Sequence, residues 1–368
     1  MLSNPNHFGR RIHSISMDEF NLKRNEFDCI IDVRSPSEFK LDHIESSINL
    51  PVLNDQQRIE VGTLHKNEGA FNARKIGAAF ISANIAVNLN SISKNTKEWK
   101  PLVYCWRGGQ RSKSMAIIMA EIGWRVCILS GGYKSYRKWV TNTLDNLIHE
   151  RTFITVAGST GNGKTEIIIN LRKNNFQIID FENLAMHRGS LLGSDPINKQ
   201  PPQKLFETRL LNDLRKTSPV APIWIESESS KIGDCHLPRL MMKKMRESET
   251  VSIKSNIEKR AKYLVDKYKH LTEKKEHLTK LLNNFNFRQS KKQIDHWKNF
   301  IEKESWTELA ISLLSNHYDP AYEESQKKLS VTHELEIETP GKLNNANINK
   351  LIFINDSVAQ KLTCINQQ

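Results

Sequence analysis

The sequence predicts an α/β protein made of two successive domains. Three short apolar runs typical of buried strands, FDCIIDV, PLVYC and RVCILSGG, occur within residues 27–132 and are separated by helix-like segments. A second set, RTFITVAG, FQIIDF and PIWIES, follows within residues 151–227. Strands that alternate with helices form parallel sheets, so each set predicts a sheet of its own. The length of 368 residues also agrees with two domains of ordinary size.

The distribution of these patterns gives the domain boundaries. Residues 1–140 form the first predicted domain, and residues 141–150 form a polar helix that links it to the second domain, residues 151–330. Within the second domain, a basic helical segment is predicted at residues 250–304. Residues 331–368 form a polar, Asn-rich C-terminal tail with two strand-like pieces, HELEIET and KLIFIND. The sequence assigns this tail no role.

Composition excludes several classes of protein. No apolar run reaches the roughly 18 residues that a membrane span requires, and the first residues lack the apolar core of a secretory signal. The five cysteines include no CxxC pair, which argues against a disulfide framework and against a zinc cluster. We therefore expect a soluble, cytoplasmic protein that has no membrane partner.

The charge predicts a polyanionic partner. The formal net charge is +13, and clustered Lys and Arg gain affinity by releasing counterions from phosphates. Composition alone fits a nucleic acid and an anionic membrane surface equally. Residues 254–304 hold 14 Lys and Arg against 7 Asp and Glu, so about half of the net charge lies in this segment.

The same segment has a helical apolar pattern, which predicts one long amphipathic helix with a buried stripe interrupted by Lys275. The stripe consists of Ile257, Ala261, Leu264, Tyr268, Leu271, Leu278, Leu282 and Phe285. Its basic face is a candidate nucleic-acid surface, and the alternative is a solvated helical hairpin packed on the domain. Both interpretations hold together if the charges lie off the stripe.

Cys105 is the candidate catalytic residue of the first domain. It ends the run PLVYC and is followed by a turn and by a helix predicted at residues 112–122. The turn residues predicted to bind an anion are Arg107, Gly108, Gly109 and Arg111. Converging amides, a helix N-terminus and guanidinium groups would favour a thiolate and hold an anion beside it. A lone buried cysteine is otherwise a small apolar side chain, as we expect for Cys29 and Cys127.

The second motif is GSTGNGKT, which lies between a predicted strand and the predicted helix TEIIINLRK. It matches the pattern G-x4-G-K-[ST] of phosphate-binding loops, whose amides enclose a diphosphate. The predicted diphosphate-binding residues are Gly158, Gly161, Gly163, Lys164 and Thr165. Whether the ligand is a nucleotide or another diphosphate stays open at this point.

A carboxylate at the end of a neighbouring strand usually completes a magnesium site beside such a loop. Glu226 and Glu228 after PIWI are candidates, and Asp180 is another. Thr165 would add its hydroxyl as a Mg²⁺ ligand. The alternative for all three acids is that they are ordinary carboxylates at strand ends.

The spacing Cys-x5-Arg is shared by cysteine phosphatases and sulfurtransferases. The stretch IIDVRSPSEFKLDHIESSINLP, residues 30–51, resembles the opening of a rhodanese-like domain, and GGYKSYRKW, residues 131–139, resembles its end. Asp42 stands where that pattern commonly has Gly before the His. The resemblance implies that Cys105 carries a chalcogen atom. Asp32 and Arg34 are expected to form a structural ion pair.

The order of the motifs resembles the tRNA 2-selenouridine synthase family over residues 15–330. The blocks that carry the resemblance are YCWRGGQRS, GGYKSYR, GSTGNGKT, DFENLAMHRGSLLGS, IESESSKIG and YDPAYEES. The resemblance implies a rhodanese-like domain followed by a P-loop NTPase-like domain. It further implies a transferase that replaces sulfur by selenium in 2-thiouridine at the wobble position of tRNAs for Lys, Glu and Gln. Selenophosphate would be the donor, and S-geranyl-2-thiouridine made from geranyl diphosphate would be the intermediate.

The same resemblance assigns roles to residues. Cys105 would carry selenium as a selenylsulfide or assist its delivery, and Arg107 and Arg111 would hold selenophosphate. The phosphate-binding loop would grip the diphosphate of geranyl diphosphate, with Arg188 as a further candidate whose alternative is a helix-surface arginine. Aromatic residues among the lysines are candidates for stacking on anticodon bases, although most should belong to the core. They are Tyr263, Tyr268, Phe285, Phe287, Trp297 and Trp306.

Two other functions fit the same motifs. One is a rhodanese-type sulfurtransferase fused to an ATPase or small-molecule kinase, and the other is a regulatory module in which nucleotide occupancy controls a chalcogen carrier. For the preferred function, tRNA is the expected partner, and an enzyme that supplies selenophosphate is a candidate partner.

Overall fold

Two compact units make up the chain, Met1–Thr143 and Leu144–Gln368. The structure is a computed structural model that describes residues 12–187, 199–283, 289–326 and 330–365. Each unit contains a five-stranded sheet surrounded by helices, so the predicted α/β class is confirmed. None of the helices within the described ranges is both long enough and apolar enough to cross a membrane.

The first unit is built on a parallel sheet. Its strands are β1 His13–Ile15, β2 Cys29–Asp32, β3 Ser47–Asn49, β4 Pro101–Tyr104 and β5 Cys127–Leu129. Their order across the sheet is β1-β5-β4-β2-β3, and every neighbouring pair is parallel. Parallel strands end at a common edge, so the residues after β2 and β4 emerge side by side.

The helices around this sheet begin and end at residues suited to those positions. They are α1 Met17–Leu22, α2 Pro36–Leu41, α3 Asp55–Asn67, α4 Ala70–Ile92, α5 Gln110–Ile122 and α6 Gly132–Glu150, with a 3₁₀ turn at Arg24–Glu26. Ser35 and Glu38 form a capping box at α2, with Pro36 in the first helical position. Gly123 ends α5 in the left-handed conformation. Residues 141–150 are the C-terminal part of α6, which crosses the boundary between the units.

The second unit is also built on a parallel sheet. Its strands are β6 Phe153–Ala157, β7 Gln177–Ile179, β8 Ile223–Glu226, β9 Lys231–Ile232, β10 Cys235–His236, β11 Glu249–Lys254 and β12 Val331–Glu336. The main sheet has the order β12-β11-β6-β8-β7, and β9 pairs with β10 in a separate antiparallel ribbon. Because β6 lies beside β8, and β8 beside β7, the loops after these three strands are neighbours.

The helices of the second unit include those of the basic segment. They are α7 Lys164–Lys173, α8 Phe181–Ala185, α9 Gln203–Arg215, α10 Arg239–Glu247, α11 Ile257–Lys267, α12 Lys269–Thr272, α13 Lys275–Asn283, α14 Lys291–Glu302, α15 Trp306–Leu313, α16 Asp319–Gln326 and α17 Asn345–Ile365, with a π-helical turn at Leu314–Tyr318. The six strands predicted for the two domains are confirmed, each shorter than its apolar run. The strands β1 and β3, of three residues each, and β11, of six, were not predicted, because polar residues interrupt the apolar pattern that marks a buried strand.

The prediction of one long helix across the basic segment is wrong. The first residues of the segment form strand β11, and the stripe is divided among α11, α12 and α13, with the first break at Tyr268. The stripe itself is buried as predicted at Ala261, Leu271, Leu278 and Leu282. Breaking the helix lets the later stripe residues pack with α14 and α15 in a local helical core. Phe285 lies outside the described residues.

The C-terminal tail has a structural role that the sequence did not assign. HELEIET contributes to the edge strand β12, which pairs with β11, so that strand prediction is confirmed. KLIFIND, predicted as strand-like, lies within α17, because its apolar side chains continue at helical spacing. Leu351, Ile354 and Val358 are buried against the main core of the unit. The tail therefore completes both the sheet and the core.

We predict that Leu351→Ala lowers the free energy of unfolding of the second unit by about 2–5 kcal/mol, because it leaves a cavity in a packed core. Leu351 is fully buried, whereas Phe353 on the same helix is 72% exposed. The control Phe353→Ala should change stability by less than about 0.5 kcal/mol. Urea unfolding followed by circular dichroism measures both variants. Equal losses would contradict the packing of α17.

Candidate functional site

The cysteine loop begins where β4 ends. Cys105 directly follows this strand and is 3% exposed. Its Sγ lies 3.3 Å from the hydroxyl oxygen of Ser112 in the first turn of α5, and that hydroxyl donates to the Gly109 carbonyl at 3.1 Å. The thiol is therefore held between the strand end and the helix N-terminus, as the motif predicted.

Residues 131–139, which resemble the end of a rhodanese-like domain, hold the cysteine loop through main-chain hydrogen bonds. The amide of Tyr133 donates to the Cys105 carbonyl at 2.8 Å, and the amide of Lys134 donates to the Trp106 carbonyl at 3.0 Å. A Cβ on Gly132 would lie 2.2 Å from the Cys105 carbonyl oxygen, so the close approach requires glycine. The Trp106 ring lies 5.2 Å from the Tyr133 ring.

The predicted anion-binding residues differ in their surroundings. Gly108 has φ +65°, and Gly109 precedes the first residue of α5. Arg111 donates to a Glu38 carboxylate oxygen at 2.6 Å, whereas the Arg107 side chain is exposed. Burial alone would raise the pKa of Glu38, but the hydrogen bond and charge of Arg111 lower it below the usual value. Anion binding by these four residues stays a prediction, and Arg111 would have to share its charge with Glu38.

Asp32 and Arg34 form the structural ion pair that was expected. Both are buried, and Arg34 donates to Asp32 carboxylate oxygens at 2.6 and 3.0 Å. Arg34 also donates to the Asp42 carbonyl at 2.6 Å and lies 3.9 Å from the centre of the Tyr133 ring. The Tyr133 hydroxyl donates to the Asp42 carboxylate at 2.9 Å. Asp42 has φ −179°, an extended backbone that needs no glycine, so the departure from the rhodanese pattern is tolerated.

The phosphate-binding loop joins β6 to α7, as predicted. Gly158, Gly161 and Gly163 all have positive φ, at +155°, +86° and +72°. The Lys164 ammonium donates to the Gly158 carbonyl at 2.8 Å, so the side chain at the end of the loop reaches back to the first residue of the loop. The Thr165 hydroxyl donates to a Glu182 carboxylate oxygen at 2.8 Å and lies 3.4 Å from one of Glu226. A bound diphosphate would meet the Lys164 charge and the amides of this turn.

Three carboxylates converge beside Thr165. Glu182 on α8, Glu226 at the end of β8 and Glu228 just after it offer oxygens that lie within 4.8 Å of one another. Glu226 is buried, and its Oε1 has no hydrogen-bond partner among the described residues. Burial and the charges of Glu182 and Glu228 raise the pKa of Glu226 well above its usual range. Burial and the Glu182 charge raise the pKa of Glu228 to about 7.

Of the three acids predicted for this site, Glu226 and Glu228 belong to the cluster and Asp180 does not. The third member of the cluster, Glu182, was not predicted. Asp180 accepts from the Asn183 amide at 2.9 Å and caps α8, outside the carboxylate cluster. Glu182 was not predicted, although the adjacent order of β7 and β8 brings it to Glu226. The signal that could have found it is a second acid two positions after Asp180, on the first turn of the following helix. Arg188 lies outside the described residues.

The cluster has the chemistry of a divalent-cation site. Mg²⁺ prefers carboxylate and hydroxyl oxygens, and the buried Oε1 of Glu226 has no hydrogen-bond partner among the described residues. Without a cation, burial and then repulsion among the carboxylates raise the pKa of Glu182, Glu226 and Glu228 above the usual range. Glu182, Glu226, Glu228 and Thr165 are therefore the residues that would hold Mg²⁺.

The chain matches two domain-family models and several known proteins. A model of the rhodanese-like domain matches residues 16–138, and a model described as the tRNA 2-selenouridine synthase AAA domain matches residues 151–303. A tRNA 2-selenouridine synthase of Nitrosomonas eutropha is 32% identical over 275 residues, which cover 73% of this chain and 68% of that protein. The chain belongs to the tRNA 2-selenouridine synthase family. The family resemblance inferred from the motifs is thereby confirmed.

Other members of the tRNA 2-selenouridine synthase family match over a similar extent. The synthase of Sulfurovum sp. is 33% identical and covers 65% of each chain, and that of Nitrosomonas europaea is 32% identical over 65% of this chain and 63% of its own. The matched region thus spans 63–68% of these relatives' lengths. Among solved structures, a rhodanese-related protein of Thermoplasma volcanium is 17% identical, with 34% of this chain and 91% of that chain covered at a TM-score of 0.23.

We predict that Gly108→Ala destabilises the first unit by about 2 kcal/mol or more, because a Cβ at a positive φ is strained and would lie 2.6 Å from the Leu129 carbonyl oxygen. Gly109 is the matched control, since its φ is −97° and nothing lies within 4 Å of a Cβ there. Gly109→Ala should change stability by less than about 1 kcal/mol. Urea unfolding of both variants tests this, and equal losses would rule out the described turn.

We predict that stability without a divalent cation falls between about pH 4.5 and pH 7 because of Glu228. Its pKa is about 7 in the folded protein and about 4.5 unfolded, so the folded state binds more protons across that window. Glu228→Gln should therefore have a higher melting temperature than the unsubstituted protein at pH 8 but not at pH 4. Added Mg²⁺ should narrow the difference at pH 8. The same difference at both pH values would contradict the raised pKa.

Proposed function

We propose that the protein is a tRNA 2-selenouridine synthase. It converts 2-thiouridine at the wobble position of the tRNAs for Lys, Glu and Gln to 2-selenouridine, with selenophosphate as the selenium donor. The observation that carries the proposal is the presence, in a chain of this family, of a buried loop cysteine in one unit and a phosphate-binding loop with an acidic cluster in the other. A chalcogen donor and a diphosphate substrate require these two kinds of site.

The first proposed step is geranyl transfer. The sulfur of 2-thiouridine attacks C1 of geranyl diphosphate, the C1–O bond breaks, and diphosphate leaves while the base loses the N3 proton. The leaving group gains charge as the bond breaks, so the loop amides and Lys164 would stabilise it where that charge develops. Mg²⁺ held by the cluster of Glu182, Glu226, Glu228 and Thr165 would supply further positive charge to the diphosphate.

The second proposed step is exchange of sulfur for selenium. Selenium attacks C2 of S-geranyl-2-thiouridine and geranylthiol leaves, which is easier than loss of the sulfur from a thiocarbonyl group. Water takes the phosphoryl group of selenophosphate, giving phosphate, and no oxidant is needed. Storage as a selenylsulfide on Cys105 would require removal of two electrons, since selenium in selenophosphate is fully reduced. We therefore assign Cys105 to delivery of selenium, the second of its two expected roles.

The basic segment is the proposed tRNA surface. Trp297 is fully buried in the helical core, so it is unavailable for base stacking. The Tyr263 ring is half-buried and has the Lys267 ammonium 5.4 Å from its centre, so it is not proposed to stack on a base. Phe285 and Phe287 lie outside the described residues. Exposed lysines of the segment would instead contact phosphates, which is the usual source of affinity for nucleic acid. They are Lys254, Lys259, Lys262, Lys269, Lys274, Lys275, Lys280, Lys291, Lys292 and Lys303.

Mass spectrometry of nucleosides from bulk tRNA tests the proposed function. Cells that lack the gene should lose 2-selenouridine, and the gene should restore it. Cys105→Ala should abolish selenation and leave S-geranyl-2-thiouridine to accumulate. Lys164→Ala should lower geranylation by about 10²-fold or more, as expected for loss of a charge that stabilises the leaving group.

Matched substitutions separate chemistry from folding. Cys127→Ala removes a second buried thiol from the same sheet, and Lys173→Ala removes an exposed ammonium from the last turn of α7. Both should leave the tRNA nucleosides unchanged. Retention of 2-selenouridine in cells without the gene would refute the function. Thiocyanate formation from thiosulfate and cyanide, with no effect on tRNA, would favour the sulfurtransferase alternative.

A further inference from the structure

An apolar groove lies between the helices of the second unit. It is bounded by α11, α12, α13 and α15 and by the π-helical turn after α15. The lining residues are Thr160, Leu264, Val265, Tyr268, Leu271, Thr272, Leu278, Trp306, Leu309, Ala310, Leu313, Leu314 and Tyr318. Apart from two threonines, these side chains are aliphatic or aromatic, and none of the lining residues carries a formal charge. Such a surface favours a hydrocarbon ligand.

One end of the groove is the phosphate-binding loop itself. Thr160 belongs to the loop and also lines the groove. Gly161, the next residue, has φ +86°, and a Cβ on it would lie 3.1 Å from Cδ1 of Leu264 in the groove wall. The loop that would hold a diphosphate therefore abuts the apolar wall, with no intervening side chain at Gly161.

A buried arginine fixes the loop to two walls of the groove. Arg260 on α11 donates to the Thr160 carbonyl at 3.0 Å and to both carboxylate oxygens of Asp319 at 2.9 and 2.7 Å. Arg260 is 6% exposed, and Asp319 directly follows the lining residue Tyr318. A bidentate, buried ion pair of this kind holds its partners in one geometry. The loop and the groove thus keep a fixed relation within the unit.

We propose that the groove binds the geranyl chain of geranyl diphosphate while the phosphate-binding loop binds its diphosphate. The proposal rests on the proposed function and specifies the location of the apolar half of the substrate. A nucleotide has the same diphosphate, but its ribose and base carry many hydrogen-bonding groups. Those groups would be desolvated against aliphatic walls without partners, whereas a hydrocarbon chain gains from the same burial.

The cavity volume of the groove is about 80 Å³, and the groove is open to solvent on one side. A ten-carbon chain would therefore lie partly in the open side of the groove, along its apolar lining. Ala310, on the second turn of α15, is the smallest lining side chain and is half-buried. A larger side chain at Ala310 would occupy space that the geranyl chain needs.

The test measures binding of geranyl S-thiolodiphosphate, an unreactive analogue, and of inorganic diphosphate by calorimetry on the full chain. Ala310→Phe should weaken the geranyl analogue at least tenfold, because a filled hydrophobic pocket discriminates by about 10–200-fold, and should leave inorganic diphosphate unchanged. Ile311→Phe is the matched control, since Ile311 is the next residue of α15 and does not line the groove. It should alter neither affinity.

A chain-length series on the unsubstituted protein tests the proposal even if Ala310→Phe does not fold. Geranyl S-thiolodiphosphate should bind at least tenfold more tightly than the dimethylallyl analogue, and that analogue more tightly than inorganic diphosphate. Equal affinities across the series would overturn the groove assignment, as would tight binding of ATP or GTP in competition with the geranyl analogue.

The outcomes also separate this proposal from the proposed function. If the unsubstituted protein geranylates tRNA and Ala310→Phe keeps full affinity for the geranyl analogue, the groove assignment is wrong and the function stands. If the analogue binds with the expected dependence on Ala310 but no tRNA product forms, the groove assignment stands and the proposed function is wrong.

Discussion

Both candidate sites depend on backbone segments that approach more closely than any Cβ would allow. A Cβ on Gly132 would lie 2.2 Å from the Cys105 carbonyl oxygen, and a Cβ on Gly163 would lie 2.3 Å from the Gly341 nitrogen. In each case a glycine-containing turn from a distant part of the chain supports the functional loop. The reactive side chains are positioned by main-chain contacts, which vary less in geometry than contacts between flexible side chains.

The parts of the fold that could be predicted are those whose signal is local. The two loops, the six strands that lie in continuous apolar runs and the Asp32–Arg34 pair each depend on residues that are close in sequence, and all are present in the structure. Glu182 has only a weak local signal, an acid two positions after Asp180, because its position beside Glu226 depends on which strands are neighbours. The pairing of Arg111 with Glu38, 73 residues apart, has the same cause.

Periodicity failed where an apolar pattern fits more than one structure. KLIFIND contains a continuous apolar run like that of a buried strand, yet Leu351 and Ile354 lie on one face of α17. The stripe of the basic segment has a helical period throughout, but periodicity does not show where a helix bends. Tyr268 ends α11 because the following residues are buried against α14 and α15 rather than along a straight continuation.

The contact between Gly341 and the phosphate-binding loop has a consequence for biosynthesis. The main-chain amide of Gly341 donates to the Asn162 carbonyl at 3.1 Å, and the side-chain amide of Asn170 donates to the Gly341 carbonyl at 3.2 Å. The first unit can fold while the ribosome is still translating the second. The loop at residues 158–165 acquires its support only after residue 341 has left the exit tunnel. During synthesis, the cysteine loop can therefore form well before the phosphate-binding loop is able to bind a diphosphate.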